Sequence, residues 1–138
     1  MRYLLDTNIL IYILGDSASL STETQDIINN SNNLLFTSAI NILELVQLYN
    51  VGKIKSKIYK SAAELTKAIE KDYYIEILPF SKSQCTTLST LRIASLHNDP
   101  FDHAIISHAI TDKLNLISSD KKFTDYKSQK LIFSFNKK

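Results

Sequence analysis

The sequence predicts an α/β domain built around a parallel sheet of about five strands. Short apolar runs alternate along the chain with longer segments of helical periodicity, a pattern typical of βαβ units and a parallel sheet. Hydrophobic residues make up 44% of the 138 residues, which is sufficient for a real core. No linker, repeat or low-complexity tract divides the chain. We therefore expect residues 1–138 to form a single domain.

The strands are predicted where short apolar runs stop at polar or turn-forming residues. The first, over residues 2–5, ends abruptly at Asp6, and the run over 116–119 ends in the same way at Asp120. Further strands are predicted over residues 34–37, 74–78 and 131–135. Because ligands of open parallel sheets lie at the carboxyl ends of the strands, Asp6 and Asp120 are the first candidates for a functional site.

Helices are predicted between the strands from capping residues and from apolar positions three or four residues apart. The segment over 39–51, capped by Ser38, is apolar on almost every side and is expected to be buried. A longer, lysine-bearing helix is expected over 53–71, and another from Ser81 or Ser83 to about residue 96. The others are expected over residues 7–14, 21–30 and 101–113, with a short turn or helix over 121–126.

Composition excludes several classes of function. The two glycines, Gly15 and Gly52, are too few and too distant for a G-x-G-x-x-G turn or a phosphate-binding P-loop. The single cysteine, Cys85, cannot form an intrachain disulfide, which suits a reducing cytoplasm. No apolar run approaches the ~20 residues of a membrane span, and Asp6 interrupts the only apolar run near the N-terminus. We expect a soluble cytoplasmic protein without a signal peptide or a membrane association.

Three aspartates could serve either as helix caps or as ligands. Asp6 and Asp120 each follow a strand and precede a helical segment, where aspartate is a favoured N-cap. Asp102 lies in the first turn of a helix that Asp99 caps and Pro100 begins, an arrangement that resembles a capping box. Each of these residues alone is explained by capping, so only their combination indicates a site.

Glu44 is the fourth acid, and it lies in the middle of the apolar helix. A buried glutamate needs a cationic side chain or a metal as partner. The alternative is a narrow exposed stripe that Glu44 shares with Asn41 and Gln47, one turn to either side. The sequence leaves both explanations open.

Together, the four acids predict a metal-dependent nuclease. Right-handed crossovers place the strand ends on one edge of the sheet, where four carboxylates would repel one another unless cations neutralise them. An all-oxygen ligand set favours Mg²⁺ or Mn²⁺ over zinc, and such a site can hold one or two ions at a phosphodiester. Polar residues close to the acids in sequence could orient water or the carboxylates: Thr7, Asn8, Ser38, Ser118 and Ser119.

The histidines are not spaced for zinc. No two of His97, His103 and His108 are four residues apart, and no cysteine is near them. His103, beside Asp102, could touch a phosphate, although a surface position without a role is the simpler prediction.

Four short motifs then occur in order over nearly the whole chain. They are Leu4-Leu5-Asp6-Thr7-Asn8, Thr37-Ser38-Ala39-Ile40 with Glu44-Leu45, His97-Asn98-Asp99-Pro100-Phe101-Asp102 with Ile105-Ile106 and Ala109, and Leu116-Ile117-Ser118-Ser119-Asp120 with Phe123. Their order and spacing resemble those of PIN domains, particularly the VapC-type toxins of bacterial toxin–antitoxin pairs. Two positions depart from that pattern: His103 stands where arginine is frequent, and Ser118-Ser119 where threonine is common.

The resemblance implies a three-layer α/β/α fold with a central parallel sheet, and a Mg²⁺- or Mn²⁺-dependent endoribonuclease that cleaves RNA. By motif position, Asp6, Glu44, Asp102 and Asp120 would be the metal-site acids, and Asp99 would be chiefly a cap. The resemblance also implies a small VapB-like antitoxin as partner and a homodimer.

Two alternatives to the nuclease remain. A phosphoaspartyl receiver or phosphatase-like domain also gathers acids at strand ends, but the phosphatase motif requires Asp-x-Asp, and Asn8 occupies the place of the second acid. The other alternative is a non-catalytic module that uses the same fold to bind RNA or protein.

Overall fold

The computed structural model describes residues 1–137 and contains one five-stranded parallel sheet. The strands are β1 (Arg2–Leu5), β2 (Leu34–Ser38), β3 (Ile75–Leu78), β4 (Asn115–Ser118) and β5 (Ile132–Phe135). Their order in the sheet is β3-β2-β1-β4-β5, and each neighbouring pair is parallel. The predicted α/β class and parallel sheet are confirmed.

Helices cover both faces of this sheet and complete the predicted three layers. The helices are α1 (Thr7–Gly15), α2 (Thr22–Asn29), α3 (Ala39–Asn50), α4 (Ala62–Lys71), α5 (Lys82–Thr90) and α6 (Pro100–Asp112). Two 3₁₀ segments, Ser17–Ser19 and Lys121–Gln129, follow α1 and β4. Within residues 1–137, no helix has both the length and the apolar composition needed to cross a membrane.

The two cores arise from the alternation of side chains along each strand. Tyr3 and Leu5 of β1 pack on one face, in a cluster that includes Leu45 of α3. Leu4, between them, packs on the other face with Ile105 of α6 and Phe123 of the second 3₁₀ segment. Because both faces of β1 are covered by helices, its buried part, from Tyr3 to Leu5, is apolar without polar alternation.

The order of the strands reverses beside β1. The chain proceeds outward from β1 to β2 and β3, then crosses back to place β4 and β5 on the other side of β1. Leu5 is in register with Ile117 of β4, and the Asp6 amide donates to the Ile117 carbonyl at 3.0 Å. Side chains that follow β1 and β4 therefore emerge next to each other, in the crevice where ligands of such sheets bind.

The helix predicted over 53–71 was wrong in its first half, since α4 begins only at Ala62. The hydroxyl of Ser56 accepts hydrogen bonds from the backbone amides of Ile58 and Tyr59, which holds this stretch in a turn. Ser61 then caps α4 by accepting from the Glu64 amide.

The helix predicted to reach residue 96 was also too long, because α5 ends at Thr90. The amides that would have continued the helix have partners elsewhere in the fold: Arg92 donates to the Gln129 side chain and Ala94 to the Tyr126 hydroxyl. Along the last turns of α5, threonine and serine hydroxyls bond to backbone carbonyls three or four residues earlier, which weakens a helix.

The expectation that the helix over 39–51 is buried all round was wrong as well. Only Asn41 and Leu45 of α3 are fully buried, while Leu43 is 45% exposed. One side of α3 packs on the sheet and its neighbouring helices, and the other faces solvent.

Candidate active site

Asp6 lies buried at the junction of β1 and α1, where four hydrogen bonds hold its carboxylate. The Thr7 amide and the Asn41 side chain donate to Oδ1, at 2.8 and 3.3 Å. The Ser118 hydroxyl and the Asn8 side chain donate to Oδ2, at 2.6 and 3.3 Å. The bond from Thr7 is an N-cap, so Asp6 both starts α1 and points into the crevice between β1 and β4.

Burial changes the acidity of Asp6 strongly. It raises the pKa of this carboxyl from the ordinary 3.8 to about 7. The hydrogen bonds from Ser118 and Thr7 oppose the rise in pKa, and the charges of Asp102 and Glu44 add to it. A carboxylate held in place but costly to ionise is stabilised by any cation that binds beside it.

Glu44 reaches the same place from α3 and is half-buried. Its Oε1 accepts from the Thr7 hydroxyl at 2.5 Å, and that hydroxyl in turn accepts from the Asn41 amide at 3.1 Å. Burial raises the pKa of Glu44, and the neighbouring charges of Asp102 and Asp99 raise it further. Both ion pairs found among residues 1–137 involve histidines, so the cationic partner considered for Glu44 is not found there.

Asp102, in the first turn of α6, is held by a chain of hydrogen bonds from the protein interior. The Ala94 amide donates to the Tyr126 hydroxyl at 3.0 Å, and that hydroxyl lies 2.8 Å from His97 Nδ1. His97 Nε2 lies 3.0 Å from Asp102 Oδ2. An ionised carboxylate can only accept, so when Asp102 is charged the bond comes from a proton on His97 Nε2, and Nδ1 of the neutral ring accepts from the Tyr126 hydroxyl.

The pKa of Asp102 is also raised, chiefly by burial. The hydrogen bond from His97 lowers the pKa, whereas the charges of Asp99 and Asp120 raise it. The pKa values of Asp6, Glu44 and Asp102 are thus all raised, in each case partly by neighbouring acids.

Asp120 and Asp99 cap helical segments at the edge of the site. Asp120 accepts from the Lys122 amide at 3.0 Å, and Asp99 from the Phe101 amide at 2.9 Å. The Ser118 hydroxyl, besides donating to Asp6, accepts from the Asp120 amide at 3.0 Å. This serine therefore connects the two strand-end acids.

The remaining polar residues that the sequence singled out divide into two groups. Asn8 accepts from the Ser119 amide at 3.2 Å and so ties α1 to the end of β4. Ser38 does not touch the acids, because its hydroxyl caps α3 through the Ile40 amide and lies 2.9 Å from His108 Nδ1. His103, expected at the surface, is half-buried, with Nε2 bonded to the His97 carbonyl at 2.8 Å.

Three residues that position the acids were missed from the sequence: Asn41, His97 and Tyr126. Asn41 lies one helical turn before Glu44, and the exposed stripe considered for the two was wrong at this position, because Asn41 is completely buried and donates to Asp6 and Thr7. His97 is only 2% exposed and Tyr126 is completely buried. No sequence pattern pairs them, since they lie 29 residues apart.

All four predicted acids line one cavity of about 230 Å³, together with Asp99, Thr7 and Asn8. Within the described residues, however, no three His, Cys, Asp or Glu side chains are close enough to form a ready-made metal site. The donor set nevertheless fits a hard divalent ion, because Mg²⁺ keeps several of its waters and binds through one or two carboxylates. The role of these residues as ligands stays a prediction.

Comparison with known proteins decides the family. A family model described as the PIN domain matches residues 3–128. The chain belongs to the PIN domain family. No curated protein matches this PIN-domain chain.

Solved structures share the fold at low sequence identity. VapBC-1 from nontypeable Haemophilus influenzae has a TM-score of 0.67 at 20% identity, with all of both chains covered. A VapBC from Salmonella typhimurium, bound to DNA, has a TM-score of 0.66 at 16% identity, with 98% of each chain covered. VapBC2 from Rickettsia felis, bound to a DNA fragment from the promoter, has a TM-score of 0.64 at 24% identity, again with 98% of each chain covered. At this identity the likeness extends to the fold alone.

Proposed function

We propose that this PIN-domain protein is a metal-dependent endoribonuclease of the VapC type, formed by residues 1–138 as one nuclease domain. The observation that carries the proposal is the cavity lined by Asp6, Glu44, Asp102 and Asp120, in which burial and mutual repulsion make ionisation of three of these acids costly. A divalent cation removes that cost.

Asp6, Glu44, Asp102 and Asp120 would hold Mg²⁺ or Mn²⁺. When bound, such an ion lowers the pKa of water and neutralises charge at the phosphodiester. The proposed reaction is attack of water on phosphorus, which forms one P–O bond and breaks the bond to the leaving ribose oxygen.

The chain itself keeps the acids in position before the substrate arrives. Ser118 and Asn41 fix the two oxygens of Asp6, Thr7 fixes Glu44, and His97 fixes Asp102. Each of these donors is buried, and a hydrogen bond from a rigid, buried partner limits the rotation of the carboxylate. An ion that keeps several of its waters and contacts one or two of these carboxylates does not require all four acids to converge.

The proposed partners follow from the same family. Several similar structures are VapBC proteins, and another is a toxin–antitoxin complex from Klebsiella pneumoniae. We propose that this chain has a small VapB-like antitoxin, acts in the cytoplasm and forms a homodimer. Light scattering of the purified chain would measure the oligomeric state, and a monomer at micromolar concentration would exclude the stable dimer.

The test of the nuclease compares wild type, Asp102→Asn and Asp26→Asn, purified identically. Asp26 is an exposed acid on α2, outside the cavity, so it controls for the loss of one negative charge. An RNA pool is incubated with Mg²⁺, Mn²⁺ or EDTA, and Mn²⁺ binding is measured separately by calorimetry. We expect metal-dependent cutting by wild type and Asp26→Asn, and loss of both cutting and Mn²⁺ binding in Asp102→Asn.

Two outcomes would contradict the proposal. Equal cutting by all three proteins would place the activity in a contaminant or at another site. RNA binding that ignores EDTA, without cutting by any of them, would instead favour the non-catalytic module.

A further inference from the structure

A second recess opens beside the acidic cavity and shares Glu44 and Leu48 with it. Its volume is about 420 Å³. The other lining residues are Gln47, Asn50, Val51, Lys53 and Phe101. The recess therefore adjoins the acidic cavity along Glu44 and Leu48.

One wall of the recess is formed by side chains from a single face of α3 and its C-terminal end. Glu44, Gln47, Leu48 and Val51 follow the i, i+3, i+4, i+7 spacing that places side chains on one helix face. The stripe leads from a proposed ligand of the metal to the end of the helix. Phe101 enters from the first turn of α6, directly beside Asp102.

The fold makes little use of these side chains. Leu48, Val51 and Phe101 belong to neither buried core cluster. Among residues 1–137, the exposed carboxamides of Gln47 and Asn50 take part in no hydrogen bond, and the Lys53 ammonium in no ion pair. Apart from Glu44, the recess carries no acidic residue. An aromatic ring, two carboxamides and a cation are thus left available beside the proposed site of cleavage.

We propose that this recess binds the nucleobase of the nucleotide next to the cleaved phosphodiester. The proposal rests on the ribonuclease function. Unpaired RNA bases are recognised by stacking on aromatic rings and by hydrogen bonds to their edges, and Phe101 and the two carboxamides supply these groups. A carboxamide is both a donor and an acceptor and can make two hydrogen bonds with the edge of one base, as it does with adenine. Lys53 provides a contact for the following phosphate.

The test maps cleavage ends in a pool of short, unstructured RNAs with randomised sequence and measures kcat and KM on the preferred RNA. Gln47→Leu/Asn50→Leu removes the hydrogen-bonding groups, Phe101→Leu removes the aromatic face, and Phe101→Tyr keeps it. Asn29→Leu, an exposed carboxamide on α2 outside the recess, is the matched control.

We expect a base bias at one position beside the cut in wild type and in Asn29→Leu, and no bias there in Gln47→Leu/Asn50→Leu. Phe101→Leu should raise KM about tenfold with kcat little changed, since loss of one stacked base costs affinity, and Phe101→Tyr should restore it. A purely structural role of Phe101 would instead lower the melting temperature and kcat together.

The outcomes separate this inference from the ribonuclease function. If wild type cuts RNA but Gln47→Leu/Asn50→Leu and Phe101→Leu keep its bias and its KM, the nucleobase site is overturned and the nuclease stands. If wild type cuts no RNA with any metal, the nuclease fails, and the nucleobase site fails with it.

Discussion

Replacing Asp6 by asparagine should stabilise the metal-free protein at alkaline pH and abolish its nuclease activity. Folded Asp6 holds its proton up to about pH 7, whereas the unfolded chain releases it near 3.8. Between these values, folding takes up a proton, so the free energy of unfolding of wild type decreases as pH rises from 3.8. The decrease is complete above about pH 7. Asparagine does not ionise and escapes that penalty.

The size of the effect follows from the shift in pKa. A raise from 3.8 to about 7 corresponds, at 1.36 kcal/mol per pKa unit, to about 4 kcal/mol at high pH. Between pH 5 and pH 8.5 the advantage of Asp6→Asn should grow by about 3 kcal/mol, because about two pKa units of the penalty lie in that interval. The asparagine also mispairs with the Ser118 hydroxyl, at a cost of about 1 kcal/mol that does not depend on pH.

The assay is urea unfolding of wild type and Asp6→Asn in EDTA at both pH values, followed by circular dichroism. Asp26→Asn, on an exposed position, is the control and should differ from wild type by less than about 0.5 kcal/mol at either pH. If the advantage of Asp6→Asn did not grow with pH, the ionised Asp6 would not be a strained group, and the reason given for cation binding would be refuted.

Three further predictions concern other parts of the molecule. His108 is buried, and burial lowers its pKa below 6.5, although Asp112 opposes this. Below about pH 6.5, unfolding therefore takes up a proton. As pH is lowered through this range, the urea midpoint of wild type should decrease more steeply than that of His108→Asn. Tyr126→Phe removes the hydroxyl that orients the His97 ring bonded to Asp102, and calorimetry should show about tenfold weaker Mn²⁺ binding with unchanged circular dichroism. Unchanged affinity would mean that the hydrogen bonds from Tyr126 to Asp102 have no role in ion binding. Leu45→Ala empties a completely buried position and should cost about 2–5 kcal/mol in urea unfolding, whereas a cost below 1 kcal/mol would contradict the packing of α3 on the sheet.

The strands and the parallel sheet were predictable because their signals are local. A strand covered on both faces, such as β1, is an apolar run that stops where the chain leaves the sheet. The alternation of these runs with helical periodicity then selects the α/β class. Each signal needs only a few neighbouring residues.

The ends of the helices were less predictable, because some of the groups that bond to the backbone amides there are distant in sequence. At Ser56, a side-chain hydroxyl accepts from a nearby backbone amide in place of a helical carbonyl. The spacing of apolar residues gives no information about this competition. The end of α5 depends on Gln129 and Tyr126, which supply partners for backbone amides from more than 30 residues away.

The sequence by itself determined the fold class, the PIN-like motifs and the four candidate acids, because strand, cap and motif patterns depend only on residues that are close together in the sequence. Tertiary structure decided which side chains hold those acids. Asn41 reaches Asp6 across 35 residues and Ser118 reaches it across 112. The raised pKa values also depend on packing, since burial and nearby charge are properties of the assembled crevice between β1 and β4 and not of any segment.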